Sequence, residues 1–304
     1  MSQIYACQLS DKLIELTGAD KKSYLHGQIT QDINLLKEDN FLWAGHCSGK
    51  GKLWAVSKLF SFEDSYLNML SSDELSASLP ELKKYAVFAK VTIAETTEYQ
   101  LFGLYGDNLQ PVLDQLGINF TGNAATCTYG KALKLSEQRI ILCLKKDLPE
   151  EVKSQLTWRN DDLEWQSLSI KEGEPRLNLA AIGEYVPQMV NLQAIGGISF
   201  TKGCYTGQET VARMKYLGKN KRAMFVLSAS GQTAGLAEEI EQQVSDNWRR
   251  AGKVIASAYH ALSDTSYLLA VMPNDIEQHA ALRTKQASPA LVNISPLPYS
   301  LSDN

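Results

Sequence analysis

Near Lys219–Arg222 the sequence changes texture, and that change limits the possible folds more than any other feature. Downstream, Ala223–Leu227, Glu239–Val244, Gly252–Tyr259, Ser266–Met272 and Ala290–Ile294 are short β-type runs divided by polar or Gly/Pro-bearing turns. Helical periodicity is largely absent there, and several short strands at such spacing predict a small antiparallel barrel. Upstream, strands and helices mix without a βαβ rhythm, which predicts an α+β class. At 304 residues the chain passes the size at which one hydrophobic core stops growing, roughly 250–300 residues. Two domains are therefore expected: 1–220, an α+β region with two subdomains, and 221–304, the barrel.

Within the first region, Leu13–Leu16, Phe41–Gly45, Leu53–Phe60, Tyr66–Leu70 and Arg139–Leu144 read as strands. The glycine-rich connection His46–Lys52 lacks the GxxxxGK[ST] spacing and leads into a strand, so it predicts a hairpin turn rather than a phosphate loop. Ala86–Ala94 and Tyr99–Leu104 read as strands paired around a Glu95–Glu98 turn. Helices are expected at Ala19–His26, at Glu74–Tyr85 with Pro80 splitting or opening its second half, and at Asp107–Leu116 with Asp107 as N-cap. Pro149–Leu156, with Pro at its first position, and Asp162–Glu172, stopped by Gly173, complete the set. Trp165 lies in the first turn of the last of these, where spacing alone reads it as a packing residue.

Net charge −4 and pI 5.7 argue against a chain that coats nucleic acid, while leaving room for a local basic site. Met1–Leu16 has neither the basic start nor the apolar run of a signal peptide, and no stretch reaches membrane-spanning length, so a cytoplasmic protein is expected. The five cysteines (Cys7, Cys47, Cys127, Cys143, Cys204) are scattered without a CxxC pair, and the four histidines are equally dispersed. Neither a disulfide framework nor a self-contained metal site is expected.

The densest chemistry runs from Gly196 to Arg222. Lys202-Gly203-Cys204-Tyr205 reads as a glycine-bracketed turn, and Thr206-Gly207-Gln208-Glu209 has the form of a capping box opening a helix over Thr210–Leu217, with Gly218 as its left-handed stop. Cys204 then precedes a helix N-terminus among Lys202, Arg213, Lys215, Lys219, Lys221 and Arg222, against one acid, Glu209. Such surroundings lower a thiol pKa. The same residues also fit a tight connection with Cys204 as a small filler, and on residue chemistry alone that reading is the simpler.

Lys202-Gly203-Cys204-Tyr205-Thr206-Gly207-Gln208-Glu209 resembles the K-G-C-Y-x-G-Q-E signature of the YgfZ family, folate-binding proteins related to the T-protein (aminomethyltransferase) of the glycine cleavage system. Similar segments run from Thr17-Gly18-Ala19-Asp20 and Lys83-Lys84-Tyr85-Ala86-Val87-Phe88 to Pro187–Phe200, Asn247-Trp248-Arg249-Arg250 and Pro296–Leu301. The resemblance implies a T-protein-like folate-binding region followed by the barrel. It further implies a non-enzymatic accessory role in making or maintaining iron–sulfur enzymes, and through them in tRNA modification such as methylthiolation, with Cys204 as the critical side chain. The implied cofactor is tetrahydrofolate or a derivative, bound at Trp165; the implied partners are iron–sulfur enzymes such as tRNA methylthiotransferases. The family's second folate-site tryptophan has no counterpart at Ser10-Asp11-Lys12, so another side chain, for example Tyr5 or Tyr24, would have to replace it. Lys202 and Arg213 are candidate contacts for an anionic folate tail. Two other readings stand beside this one: a tetrahydrofolate-dependent one-carbon transferase of the aminomethyltransferase type, and direct tRNA binding through the basic 202–222 stretch.

Overall fold

The computed structural model describes residues 3–218, 220–231 and 239–301, so Lys219, counted above among the cations, lies outside the described residues. The upstream region is built on two sheets. One has five strands in the order Phe41–Cys47, Leu53–Phe62, Ser65–Leu70, Lys12–Thr17, Thr92–Thr96. The other has six, in the order Thr157–Trp158, Tyr5–Gln8, Gln100–Tyr105, Arg139–Leu144, Gly130–Ser136, Ala124–Cys127. All neighbours are antiparallel except Tyr5–Gln8 with Thr157–Trp158.

Side-chain alternation explains how the sheets stack. In Arg139–Leu144, Ile141 and Cys143 face Phe60, Leu67 and Met69 of the other sheet, while Ile140, Leu142 and Leu144 face the layer of the helices Gln110–Gln115 and Glu150–Lys153. With both faces covered, such a strand reads as an unbroken apolar run. On the outer face of the five-stranded sheet lie the helices Lys21–His26 and Ser72–Lys84.

Arg222–Ser230, Thr265–Pro273, Asn247–His260, Glu239–Val244, Leu282–Thr284 and Leu291–Ser295 close into an antiparallel barrel, as the texture of the sequence predicts. Leu268, Ala270 and Met272 fill its interior, whereas Leu269 and Val271 point outward onto Leu53, Val56, Ile170 and Leu177. Asn191, in the left-handed region at φ 59°, ties the approach segment to the barrel: its amide donates to the Met224 carbonyl at 2.7 Å and accepts from the Met224 N–H at 3.2 Å.

Several expectations need correction. The helix Ser72–Lys84 runs through Pro80 without a break. A true capping box at Ser71 and Glu74 fixes its start, and Leu75 and Leu82 bury one face, which outweighs the one backbone hydrogen bond that proline deletes. Thr92–Thr96 and Gln100–Tyr105 are not partners: the first edges one sheet, the second is central in the other, and the turn between them is a crossover. Burial of Tyr99 and Leu101 between the sheets decides this. Leu109, not Asp107, occupies the N-cap of Gln110–Gln115. The helix after the motif spans Gln208–Tyr216, and its expected capping box is absent. The Thr206 amide instead donates to the Gly27 carbonyl at 3.0 Å, and Gly207 takes the N-cap at φ 85°. Gly218 is not among the left-handed glycines; its N–H returns to the Arg213 carbonyl at 2.9 Å.

Candidate functional site

A cavity of about 470 Å³ opens where the first turn of Ser72–Lys84, the helix Leu163–Lys171 and the barrel strand Asn247–His260 meet. The volume suits a drug-sized heteroaromatic ligand. Its cations arrive already paired. Arg176 meets Asp11 at 2.6 Å, and Lys58 meets Glu174 at 3.0 Å. Burial alone would raise the Glu174 carboxyl, but Lys58 and Arg139 hold it down at about 2. Glu74 is fully buried, which pushes its pKa up, and its oxygens accept from the backbone N–H groups of Val56 at 3.0 Å, Ser71 at 3.2 Å and Leu177 at 3.3 Å.

Trp165 lines this cavity yet is only 3% exposed. The Arg139 guanidinium lies 4.4 Å from its ring centroid, and Gly103 approaches so closely that an added Cβ would sit 2.5 Å from the indole. Trp165 is thus a packed wall of the cavity rather than an open stacking surface. The half-buried aromatic facing the space is Trp43, with the Lys58 ammonium 4.1 Å from its ring centroid. Nothing in the local sequence marks Trp43, which sits inside the strand Phe41–Cys47. Tyr5 stacks on Tyr105 with centroids 5.3 Å apart, and the Tyr24 hydroxyl donates to the Leu82 carbonyl; neither lines the cavity.

None of the motif residues Lys202, Gly203, Cys204, Tyr205, Gly207, Gln208 and Glu209, nor Arg213, lines it either. The motif mounts on a different part of the five-stranded sheet. Lys202 is buried, and its ammonium donates to the carbonyls of His26 at 2.5 Å, Ile29 at 2.8 Å and Gln31 at 2.9 Å. Three carbonyls at and just beyond a helix C-terminus make a good seat for a cation, although burial draws the Lys202 pKa down to about 8. Lys202 is therefore a structural clamp, not a contact for a folate tail. Tyr205 is buried beside it, its ring centroid 5.0 Å from the ammonium. Gly207 packs against the hairpin turn: a Cβ there would stand 2.5 Å from the Ser48 carbonyl oxygen and 2.8 Å from Gly51 Cα. That contact is what the glycine-rich connection 46–52 serves. With Lys202 and Tyr205 turned inward, Cys204 is left exposed, while the other cysteines are buried or half-buried.

Glu209, Arg213, Lys215, Lys221 and Arg222 are exposed, and Lys215 lies 3.8 Å from the Phe200 ring centroid. The fold adds one group that sequence could not link to the motif. His26 directs Nε2 toward Gly203, 3.8 Å from where a Cβ would be, and its Nδ1 is 3.4 Å from an Asp32 carboxylate oxygen. Burial, and then the charge on Lys202, lower the His26 pKa. Nothing in the spacing of two segments so far apart along the chain announces this neighbour. Among the described residues no three His, Cys, Asp or Glu side chains form a metal-sized group, and no helix is long and apolar enough to cross a membrane.

Residues 220–287 match the family model described as the YgfZ β-barrel domain. A tRNA-modifying protein YgfZ from Vibrio vulnificus (strain CMCP6) is 44% identical over 297 residues, covering 96% of this chain and 90% of the relative. Its namesake from Aliivibrio fischeri (strain ATCC 700601 / ES114) is 40% identical over 294 residues, covering 96% and 91%. Among solved structures, the glycine cleavage system aminomethyltransferase T from Bartonella henselae superposes with a TM-score of 0.72 over 98% of this chain and 86% of that one, at 16% identity. That likeness concerns the fold.

Proposed function

The chain belongs to the YgfZ family, and on that premise we propose that it is a folate-binding, non-catalytic accessory protein of tRNA modification, acting by supporting iron–sulfur enzymes. The observation that carries the reading is the mount of Cys204: a lysine clamp, a buried tyrosine and a hairpin socket hold one thiol at the surface. Such a thiol suits brief contact with a client or its cluster. Among the described residues no three His, Cys, Asp or Glu side chains gather there to retain a cluster, and Cys47, which shares a cleft with Thr206, is buried.

The central cavity suits folate. Trp43 offers a face for a pterin, the carboxylates of Asp11 and Glu174 can accept from its N–H groups, and Lys58 and Arg176 can balance a glutamate tail. Bound folate would supply a one-carbon unit or report its supply. The transferase reading is weaker. It needs a carboxylate free to manage a proton; Asp11 and Glu174 are bound to cations and Glu74 is saturated with backbone donors, which leaves Asp73, exposed and already accepting from the Leu179 N–H at 3.1 Å.

Cys204→Ala is expected to abolish most tRNA methylthiolation in cells lacking the native protein while leaving the thermal unfolding curve unchanged. Full methylthiolation by that variant, measured on digested tRNA, would overturn the reading. Multiple turnovers of one-carbon transfer by the purified protein would favour the transferase instead.

A further inference from the structure

At the far end of the helix Ser72–Lys84 from the cavity lies a surface that the folate and thiol reading leaves unused. We propose that it binds single-stranded RNA. A cleft of about 500 Å³ there is walled by Lys50, Lys52, Trp54, Lys84, Tyr85 and Thr206, the last two residues away from Cys204. A second cleft of about 460 Å³ shares Lys52 and continues along the barrel past Arg222, Arg250 and Lys253. Six cations thus line one continuous track on a chain whose net charge is −4. The opposing carboxylates in its walls are Glu81, 3.5 Å from Lys84, and Glu184, 3.8 Å from Lys253; Arg250 is also engaged by Glu239 at 2.9 Å. Six cations against these three acids leave a surplus of three positive charges, carried by Lys50, Lys52 and Arg222.

Beside the track the chain exposes aromatic and apolar surface that it does not cover. Tyr85 is 54% exposed and Phe88 101%, within a loop bracketed by Lys83, Lys84 and Lys90. Turn hydrogen bonds from Ala86 N–H to the Lys83 carbonyl and from Ala89 N–H to the Ala86 carbonyl fix this loop. Cations that follow a phosphate backbone, with aromatic rings on which unpaired bases stack, are what a single strand requires. A duplex keeps its base faces stacked and would use only the cations. An acidic polypeptide would have no use for the exposed rings as stacking platforms. The choice of RNA over DNA rests on the family reading above; the choice of a single strand rests on the surface itself.

Fluorescence anisotropy of the full chain with a labelled, unstructured oligoribonucleotide of about a dozen nucleotides tests this, within the span such grooves hold. Binding should weaken steeply with salt. Lys50→Gln with Lys84→Gln should reduce affinity at least tenfold and flatten the salt slope by about 1.4, from about 0.7 per phosphate contact. Tyr85→Ala with Phe88→Ala should reduce affinity about tenfold with the slope unchanged, and Lys146→Gln, on another exposed loop, should change neither. No binding at 50 mM salt, or binding indifferent to both double variants, would overturn the proposal. Equal competition by poly-aspartate would assign the surface to an acidic protein partner, and equal competition by single-stranded DNA would remove RNA as its ligand. These readouts do not depend on Cys204, so the outcome of the Cys204→Ala experiment leaves them independent.

Discussion

The two ends of the helix Ser72–Lys84 face opposite problems. At the N-terminal end, Ser71 and Glu74 form a closed capping box at the edge of a cavity whose cations are paired within the protein. At the C-terminal end, some ten residues and therefore about 15 Å away, Lys83, Lys84 and Tyr85 stand exposed. The contrast teaches where each kind of ligand belongs. Pre-paired charges in a buried space suit a small molecule whose polar atoms replace existing partners one for one. Exposed, screened cations in excess over their neighbouring acids suit a large polyanion. Cys204 belongs with the second end rather than the first.

The sharpest way to break this contrast is to unpair the buried charges. Arg139→Met leaves Glu172 and Glu174, each now 2.7 Å from the guanidinium, without that partner, and should cost about 3–5 kcal/mol in urea unfolding. A loss below about 1 kcal/mol would mean that the cavity end is not held by its ion pairs.

Acid should act next most strongly. Burial lowers the His46 pKa to about 4, and its Nδ1 lies 2.8 Å from the Ser78 hydroxyl. The imidazole is neutral in the fold but protonates near its ordinary value when unfolded, so stability is full above about pH 6.5 and falls as pH drops toward about 4, by on the order of 3 kcal/mol. His46→Asn should flatten that part of the curve. Glu174 has the same sign in a lower window: its stabilisation is present above the ordinary carboxylate range and disappears as pH approaches about 2. A pH-stability profile that is level from 7 to 4 would contradict the first of these assignments.

At the motif end, Gly207→Ala forces a Cβ onto the hairpin turn at positive φ and should cost about 1–3 kcal/mol. It should also depress tRNA methylthiolation by displacing the neighbouring thiol; a variant with normal stability and activity would show that the socket is dispensable. The smallest stability change is expected at Trp43. Trp43→Ala, at a half-buried ring, should lower the melting temperature less than truncation of the buried Trp165 yet weaken tetrahydrofolate binding about tenfold in a fluorescence titration. Trp165→Ala, by contrast, should destabilise by about 3–5 kcal/mol because it empties a packed site. Equal effects of the two on stability would erase the distinction between a wall and a stacking face.

The barrel, the hairpin at 46–52 and the helix Leu163–Lys171 were legible from local signals: period-two alternation, glycine turns and a glycine stop, each of which acts within a few residues. The Lys202–Glu209 motif was legible as a unit, and through it the family. Its internal logic was not. Sequence alone offered Thr206 as a cap and Lys202 as an anion contact, because both residue types do those things in isolation. Tertiary packing gave Thr206 to the Gly27 carbonyl and drove the Lys202 ammonium into three carbonyls. A buried donor or acceptor must find a partner wherever the fold supplies one, and that supply comes from residues distant in the chain. The same holds for His26 beside Gly203 and for Trp43 replacing Tyr5 and Tyr24 in the cavity. Composition and periodicity therefore determined what elements this chain makes. Only the packed structure decided which side chains are spent inside it and which remain free to act.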